Sequence, residues 1–409
     1  MKCDVCIIGA GPAGLFAGII VAKRGGKVII LEHNAAACQK LLHTGGGRCN
    51  LTHSGSVNDF VRAFGPFGRF LKHSLYEFSA DDLIDYFNQM GLPTVVQEDG
   101  CVFPESQRAG DVANIMINHA RQSDVQIIYN TQIQSIKKES ENFNLDLLNN
   151  QIQSKSLIVA TGGVSWPFTG STGDGYKYAK NFGHSIVTPK AALVSLRIEE
   201  KWLCNLSGVG LENVVIKGRA GKNKFNCSGP LMFTSKGISG PVTLDLSRYV
   251  TDLLPDYNNP AKVVIDLLPD HEISDLEYNI MDMCQKHPKK ELASLLAKYL
   301  PRSLLFSICG QISPGESIFA GILKKDQRKQ LTSMLKQLPI SIVATDSIDG
   351  ATVTRGGVST KEINPQSMES NLCPGLFFAG EVMNVDGPCG GYNLQIAFST
   401  GNLAAVNAL

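Results

Sequence analysis

Three glycines near the start of the chain, Gly9, Gly11 and Gly14, are spaced G-x-G-x-x-G between an apolar run and a helix-like stretch. Each position has a physical use. The first permits a tight turn, the second lets the backbone approach a pyrophosphate, and the third lets a helix pack on a sheet. Ala13 sits inside the same turn. A helix that starts there offers free N–H groups and about half a positive charge to a diphosphate. Glu32 follows 18 residues after Gly14. A carboxylate at that point can hydrogen-bond ribose hydroxyls and repels a 2′-phosphate. The pattern fits NAD or FAD, and a glycine turn that binds nothing is the alternative.

Later segments favour FAD. Leu157–Gly163 reads as an apolar strand ending in a small-residue turn, with Ala160, Thr161 and Gly162 at its tip. Gly375–Glu381 is a second such strand, ending at Gly380 and Glu381. In this order the two resemble the signatures of glutathione-reductase-like FAD domains. That resemblance places the first turn close to the cofactor and the second near the flavin end; Ile133, at the head of another strand, joins the same set. Between Lys40 and Asn50 lies a second glycine block, Gly45–Gly47, followed by Arg48. A backbone without side chains, as at Gly46 and Gly47, can lie against a flat ring or phosphate. Arg48 can offset negative charge there; a surface turn with a solvated arginine is the alternative. Near the end, Gly390-Gly391-Tyr392-Asn393 precedes a helix running from Leu394 and Gln395. Its N-terminus is expected to aim at the flavin pyrimidine, where negative charge collects on reduction.

The candidate catalytic residue is Cys49, on the loop expected beneath the flavin, with Cys389 in the second flavin-side loop as its partner. A thiolate is a competent nucleophile, although both residues can equally be small side chains in crowded loops. The eleven cysteines are odd in number and irregularly spaced, which fits reduced thiols in a cytoplasm. Cys3 and Cys6 fall on a strand, where i and i+3 point to opposite faces, so they are expected to be core residues. The histidines lack metal-ligand spacing, and no metal site is expected. No hydrolase triad is evident.

A closer likeness covers nearly the whole chain. The blocks Lys40–Thr52 (K-L-L-H-T-G-G-G-R-C-N-L-T), Gly100–Ser106, Thr234–Pro241, Arg355–Val358 and Gly380–Gln395 resemble, in order, those of the YhiN/BaiN-type NAD(P)/FAD-dependent oxidoreductases. The resemblance implies a bacterial FAD enzyme whose Rossmann domain is interrupted by a barrel-plus-helices insert. The family often carries Asp where this chain has Asn384, so any charge at that position is missing here. NAD(P)H as electron donor is implied only by the resemblance, because no second G-x-G-x-x-G follows a strand.

These residues need elements to position them. Strand, glycine turn, helix (12–24) and strand (27–32) form a βαβ unit. A helix begins after Ser79 and another spans 111–121. Short strands at 126–129, 133–137, 143–148 and 156–160 suggest a meander feeding the main sheet. From 190 to 270 the chain reads as barrel strands: 193–198, 213–218, 224–227, 242–246 and 262–267. From 271 to 342 it reads as helical, most clearly over 291–300 before Pro301, and a strand at 340–343 leads back. The expected class is thus α/β: a discontinuous FAD domain, 1–189 with 343–409, around an insert whose barrel part is 190–270 and helical part 271–342.

Formal net charge is +1 across 409 residues, which argues against a broad nucleic-acid-binding face. The basic runs 217–224 and 286–290 read as solvated faces. No signal peptide or membrane span is evident, leaving the cytoplasm as default. The expected function is an FAD-dependent oxidoreductase acting on a small organic substrate. The alternatives are an NAD-linked dehydrogenase, an RNA-modifying or RNA-binding flavoprotein that uses the insert as adaptor, and a flavin sensor.

Overall fold

A computed structural model describes residues 1–220, 223–254, 260–315 and 317–409. The chain divides into two compact units, one of 1–192 with 348–409 and one of 193–347.

In the first unit the strand Lys2–Ile8 runs parallel to Val28–Leu31 on one side and to Gln151–Val159 on the other. Gln126–Ile128 extends the sheet beyond Val28–Leu31. Every residue of Val28–Leu31 is buried, as suits a parallel strand covered on both faces. The long strand Gln151–Val159 changes neighbours along its length. Its first half pairs antiparallel with Asn142–Leu147, which pairs with Ile133–Glu139. Its end, Leu157–Val159, pairs parallel with Leu376–Phe378. The C-terminal segment therefore enters the same sheet as the first strand.

Helix Pro12–Lys23 has proline in its first turn, where the missing N–H costs nothing. Its residues are apolar almost all round, because the C-terminal helix Tyr392–Ala408 packs along it. A Cβ at Gly401 would lie 2.6 Å from the Ala13 carbonyl oxygen, so glycine sets how closely the two helices approach. Phe16 meets Phe398 edge-on, centroids 5.4 Å apart. Ser79 and Asp82 form a capping box that starts helix Ala80–Gln89.

The second unit is a closed barrel of Leu196–Ile198, Gly237–Ser239, Asn223–Thr234, Gly210–Ala220, Ala261–Asp266 and Leu338–Thr345, in that order around the ring. Its helices include Ile273–Lys286, Arg302–Ile312 and Lys325–Lys336. Val214, Ile216, Phe233, Leu246 and Leu304 belong to its own core.

Several elements differ from the sequence reading. The strand expected at 242–246 is part of helix Pro241–Val250, in which Val242, Leu246 and Val250 are buried; that i, i+4, i+8 spacing outruns a five-residue window. The helix expected over 291–300 is only Leu292–Leu295, and Pro301 caps the start of Arg302–Ile312 instead of closing a helix. Residues 340–343 do not lead back to the first unit. They lie in Leu338–Thr345, which closes the barrel against Leu196–Ile198 and Ala261–Asp266. Residues 190–192 stay with the first unit, because Ile186–Ala192 pairs with Val353–Val358. Cys3 and Cys6 are both buried in the core, and the Cys3 thiol donates to the Gln153 carbonyl at 3.8 Å. The amides of Asp4 and Val5 both donate to the Lys27 carbonyl, at 2.8 and 3.2 Å. No helix among the described residues is long and apolar enough to cross a membrane.

Candidate cofactor site

The first glycine turn is built by contact. Gly9 has φ +102°, and a Cβ there would lie 2.5 Å from the Ala160 carbonyl oxygen. A Cβ at Gly14 would overlap the Gly9 carbonyl oxygen. Gly11 is different. It is extended, at φ −77° and ψ −178°, and a Cβ there would meet nothing within 4 Å. Nothing in the folded chain requires glycine at this point, so its bare backbone faces space that a pyrophosphate can fill.

Glu32 is buried beside this turn. One carboxylate oxygen accepts from the Ala10 amide at 2.7 Å and the other from the Asn34 amide at 2.9 Å. Each oxygen retains a lone pair for a ribose hydroxyl. The Thr131 amide donates to the Glu32 carbonyl, which brings the head of the strand beginning at Ile133 to the same edge. Asn34 donates to the Thr169 carbonyl at 3.0 Å.

A polar cluster lies further along. Lys40 Nζ pairs with Glu381 at 2.8 and 2.9 Å and with Ser165 Oγ at 2.7 Å. Glu381 also accepts from Ser165 Oγ and from the Thr354 amide. Thr354 Oγ1 accepts from the amides of Val164 and Ser165. Four segments distant in sequence are thereby locked together, and Lys40 is held at about one-fifth exposure. The sequence points to Lys40 and Glu381 as cofactor contacts; in the structure they pair with each other. The sequence does not point to Ser165 or Thr354: neither carries a motif of its own, although Thr354 directly precedes the block starting at Arg355.

The second glycine turn is set by backbone angle. Gly45, Gly46 and Gly47 have φ of +57°, +67° and +86°, a region that side chains disfavour. Arg48 is exposed, lies 4.4 Å over the Phe103 ring and donates to the Gly45 carbonyl. The Asn50 side-chain amide, oriented by its network, donates to the carbonyls of Thr52 and Val102. Cys49 is fully buried. Burial pushes its thiol up to about 12, so at neutral pH it is protonated and not the nucleophilic form. Cys389, its proposed partner, is exposed.

In the C-terminal loop, Gly380 lies against Ala13, with a Cβ 3.1 Å from that of Ala13. A Cβ on Gly391 would overlap the Thr52 carbonyl. The side chains expected beyond it are engaged inside the protein. Gln395 is buried, accepts from Thr52 Oγ1 at 2.7 Å and donates to Ser399 Oγ and the Phe78 carbonyl. Asn393 folds the preceding loop through Gly387 and Pro388. Leu394 packs on the core. Those side chains hold the helix start in place, and the groups that remain for a cofactor are backbone amides. Ala160, Thr161 and Gly162 lie where the first turn meets the sheet, since the Ala160 amide donates to the Ile8 carbonyl and Thr161 also crowds Gly9.

An aromatic group also escaped the sequence reading. Trp166, in a left-handed conformation, stacks with exposed Phe168, and His43 meets both edge-on. Among the described residues, no three His, Cys, Asp or Glu side chains cluster as metal ligands would.

Residues 3–407 match the family described as HI0933-like protein Rossmann domain. A ribosomal RNA dihydrouridine synthase from Haemophilus influenzae is 33% identical over 407 residues, covering 98% of this chain and 97% of that protein. A 3-dehydro-bile acid delta(4,6)-reductase from Clostridium scindens is 30% identical over 400 residues, covering 97% of each. Among solved structures, the 3-ketosteroid-delta4-(5alpha)-dehydrogenase of Rhodococcus jostii superposes with a TM-score of 0.52 at 14% identity, covering 100% of this chain and 96% of that one. That last likeness is one of fold.

Proposed function

We propose, since the chain belongs to the HI0933-like Rossmann-domain family of FAD-dependent oxidoreductases, that it reduces a carbon–carbon double bond conjugated to a carbonyl, with NAD(P)H as the transient electron donor. The observation that carries the cofactor assignment is a pair of helix starts. Pro12–Lys23 begins at Gly11 and Tyr392–Ala408 at Gly391, and neither has a side chain closing its first turn. Helix starts leave N–H groups without partners, and both dipoles favour negative charge. Gly9, Gly11, Ala13 and Gly14 are assigned to the pyrophosphate. Glu32 and the strand head at Ile133 are assigned to the adenosine, and Ala160–Gly162 to the edge between. Lys40, Gly46, Gly47, Arg48, Asn50, Gly380, Glu381, Gly391, Asn393, Leu394 and Gln395 form the flavin end, the last four through backbone.

Bound FAD supplies hydride transfer. The reaction adds one hydride and one proton to the double bond and oxidises one NAD(P)H to NAD(P)⁺, so two electrons balance. The substrate class is supported by the names of the two relatives. One makes dihydrouridine, whose uracil precursor has its double bond beside a ring carbonyl. The other reduces a bile acid bearing a 3-oxo group. With one dinucleotide fingerprint in the chain, the nicotinamide is expected to visit the flavin and leave.

The test is anaerobic spectroscopy of the purified holoprotein. NADH or NADPH should bleach the visible flavin band, and a conjugated enone, steroid or uracil in type, should restore it. Protein without FAD would remove the assignment at its root. A flavin that neither nicotinamide bleaches would overturn the donor, and a bleached flavin that no such acceptor restores would overturn the substrate class.

A further inference from the structure

The barrel carries a groove of about 1120 Å³ on its outer side, above the ~300–1000 Å³ usual for a small-molecule pocket. Lys217, Arg219, Lys224 and Lys262 line it, with Glu200 the one carboxylate. All four cations are exposed. They alternate with the buried residues Ile216, Phe225 and Val263, so they share the outward face of three adjacent strands.

Their register is unusual. Arg219 stands directly opposite Lys224. On the other side, Lys217 faces Val264 and Gly218 faces Val263; one further step in that ladder sets Lys262 level with Arg219. Three cations thus form a row across the sheet, with Lys217 two residues along the same face. Strands lie ~4.8 Å apart, so the row falls within about one Debye length of ~10 Å, and the fields add. Like charges directly opposite each other destabilise a sheet. None of the four makes an ion pair with a described residue. Glu200 does not offset them by contact: both its oxygens take the Ser341 amide, at 2.9 and 3.1 Å. Half-buried Trp202 lies on the groove wall and offers an indole on which an unpaired base can stack.

We infer that this groove binds the phosphodiester backbone of RNA, with Lys217, Arg219, Lys224 and Lys262 on phosphates and Trp202 against a base. A net charge of +1 does not weigh against it, because acids elsewhere cancel in the sum while the groove keeps four cations to one carboxylate. The inference rests on the proposed reduction of a conjugated ring and names the form in which that ring arrives, as a uracil within RNA. Phosphate contacts of this kind position a strand without reading its sequence.

The experiment is fluorescence anisotropy of the FAD-bound full chain with a labelled RNA hairpin at two salt concentrations. Three to four phosphate contacts predict that affinity falls about 40- to 150-fold between 50 and 200 mM salt. Lys217→Glu with Arg219→Glu should weaken binding at least tenfold and lower the salt slope by about 2. FAD content and nicotinamide bleaching should not change. Lys289→Glu with Lys290→Glu, exposed charges outside the groove, should bind as the parent does. Trp202→Ala should weaken binding to single-stranded RNA while leaving the salt slope intact. No RNA binding, groove variants equal to the parent, or equal affinity for a DNA duplex of the same length would each overturn the inference. Loss of FAD or of bleaching in the parent protein would instead strike the flavin reading, so the two failures are distinct.

Discussion

The two glycine turns of the first unit look alike in sequence and are held by different physics. In Gly9–Gly14, the two outer glycines are demanded by neighbouring backbone, while Gly11 meets nothing and adopts angles open to any residue. In Gly45–Gly47 all three are left-handed; Gly45 is also crowded, with a Cβ 2.8 Å from the Asn50 amide nitrogen, while at Gly46 a Cβ would again meet nothing. A glycine can thus serve the chain's packing, the chain's path, or a ligand that is not part of the chain. Only the third kind bears directly on function, and spacing alone does not sort them.

The largest separation of these roles is between Gly14 and Gly11. Gly14→Val places a side chain into the Gly9 carbonyl, and the neighbour that must yield is backbone. The loss of stability is expected to be about 4 kcal/mol or more, read as a collapse of the denaturation midpoint of the FAD-free protein. Gly11→Val should change that midpoint by no more than about 0.5 kcal/mol. Its cost appears on adding FAD, with affinity lower by about a hundredfold or more, because the side chain fills the path of the pyrophosphate. If Gly11→Val binds FAD normally, the distinction drawn from the open space at Gly11 fails.

Gly46 gives an intermediate effect of the second kind. Gly46→Ala keeps clear of every neighbour yet forces alanine to φ +67°, at a cost of about 1 kcal/mol. Gly46→Asn should cost less, since asparagine tolerates this region. Urea titrations of the two variants should rank in that order. Equal midpoints for alanine and asparagine would mean that the turn relaxes, and that its angles do not constrain it.

The sequence was most legible where one short segment does a whole job. The strand–glycine–helix start, the meander ending at Val159 and the terminal strand and helix could be read from local pattern, because each has its periodicity and turn chemistry within a few residues. Glu32 and Lys40 were visible from spacing and block likeness. What escaped reading depends on segments that meet only in the fold. Ser165 and Thr354 acquire a role through Lys40 and Glu381, and nothing local to either announces it. Gln395 looked like a cofactor ligand, yet Thr52, Phe78 and Ser399 engage its side chain. The helix Pro241–Val250 was hidden by a window shorter than its period. The basic run 217–224 read as a solvated face, since a run of charges gives no hint that Lys262 continues the row from a neighbouring strand.

The smallest expected effect concerns Cys49, at the end of the second turn. Its backbone is left-handed at φ +64°, and its amide donates to the Thr44 carbonyl at 3.0 Å, so the turn fixes where the thiol points. Burial raises that thiol from an ordinary 9.0 to about 12. At pH 8 this leaves about a thousandfold less thiolate than an ordinary cysteine has, and alkylation of the native protein should mark exposed Cys389 long before Cys49. The sign of the pH dependence follows. Between the unfolded and folded values the native state binds more protons than the unfolded one, so stability contributed by the buried thiol is full below about pH 9 and is lost as pH rises toward 12. Cys49→Ser, which lacks this titration, should keep FAD and turnover and should show a shallower fall in stability above pH 9. Rapid labelling of Cys49 at pH 8, or loss of turnover in Cys49→Ser with FAD retained, would restore the thiol to the chemistry and show that the second turn presents more than backbone to its ligand.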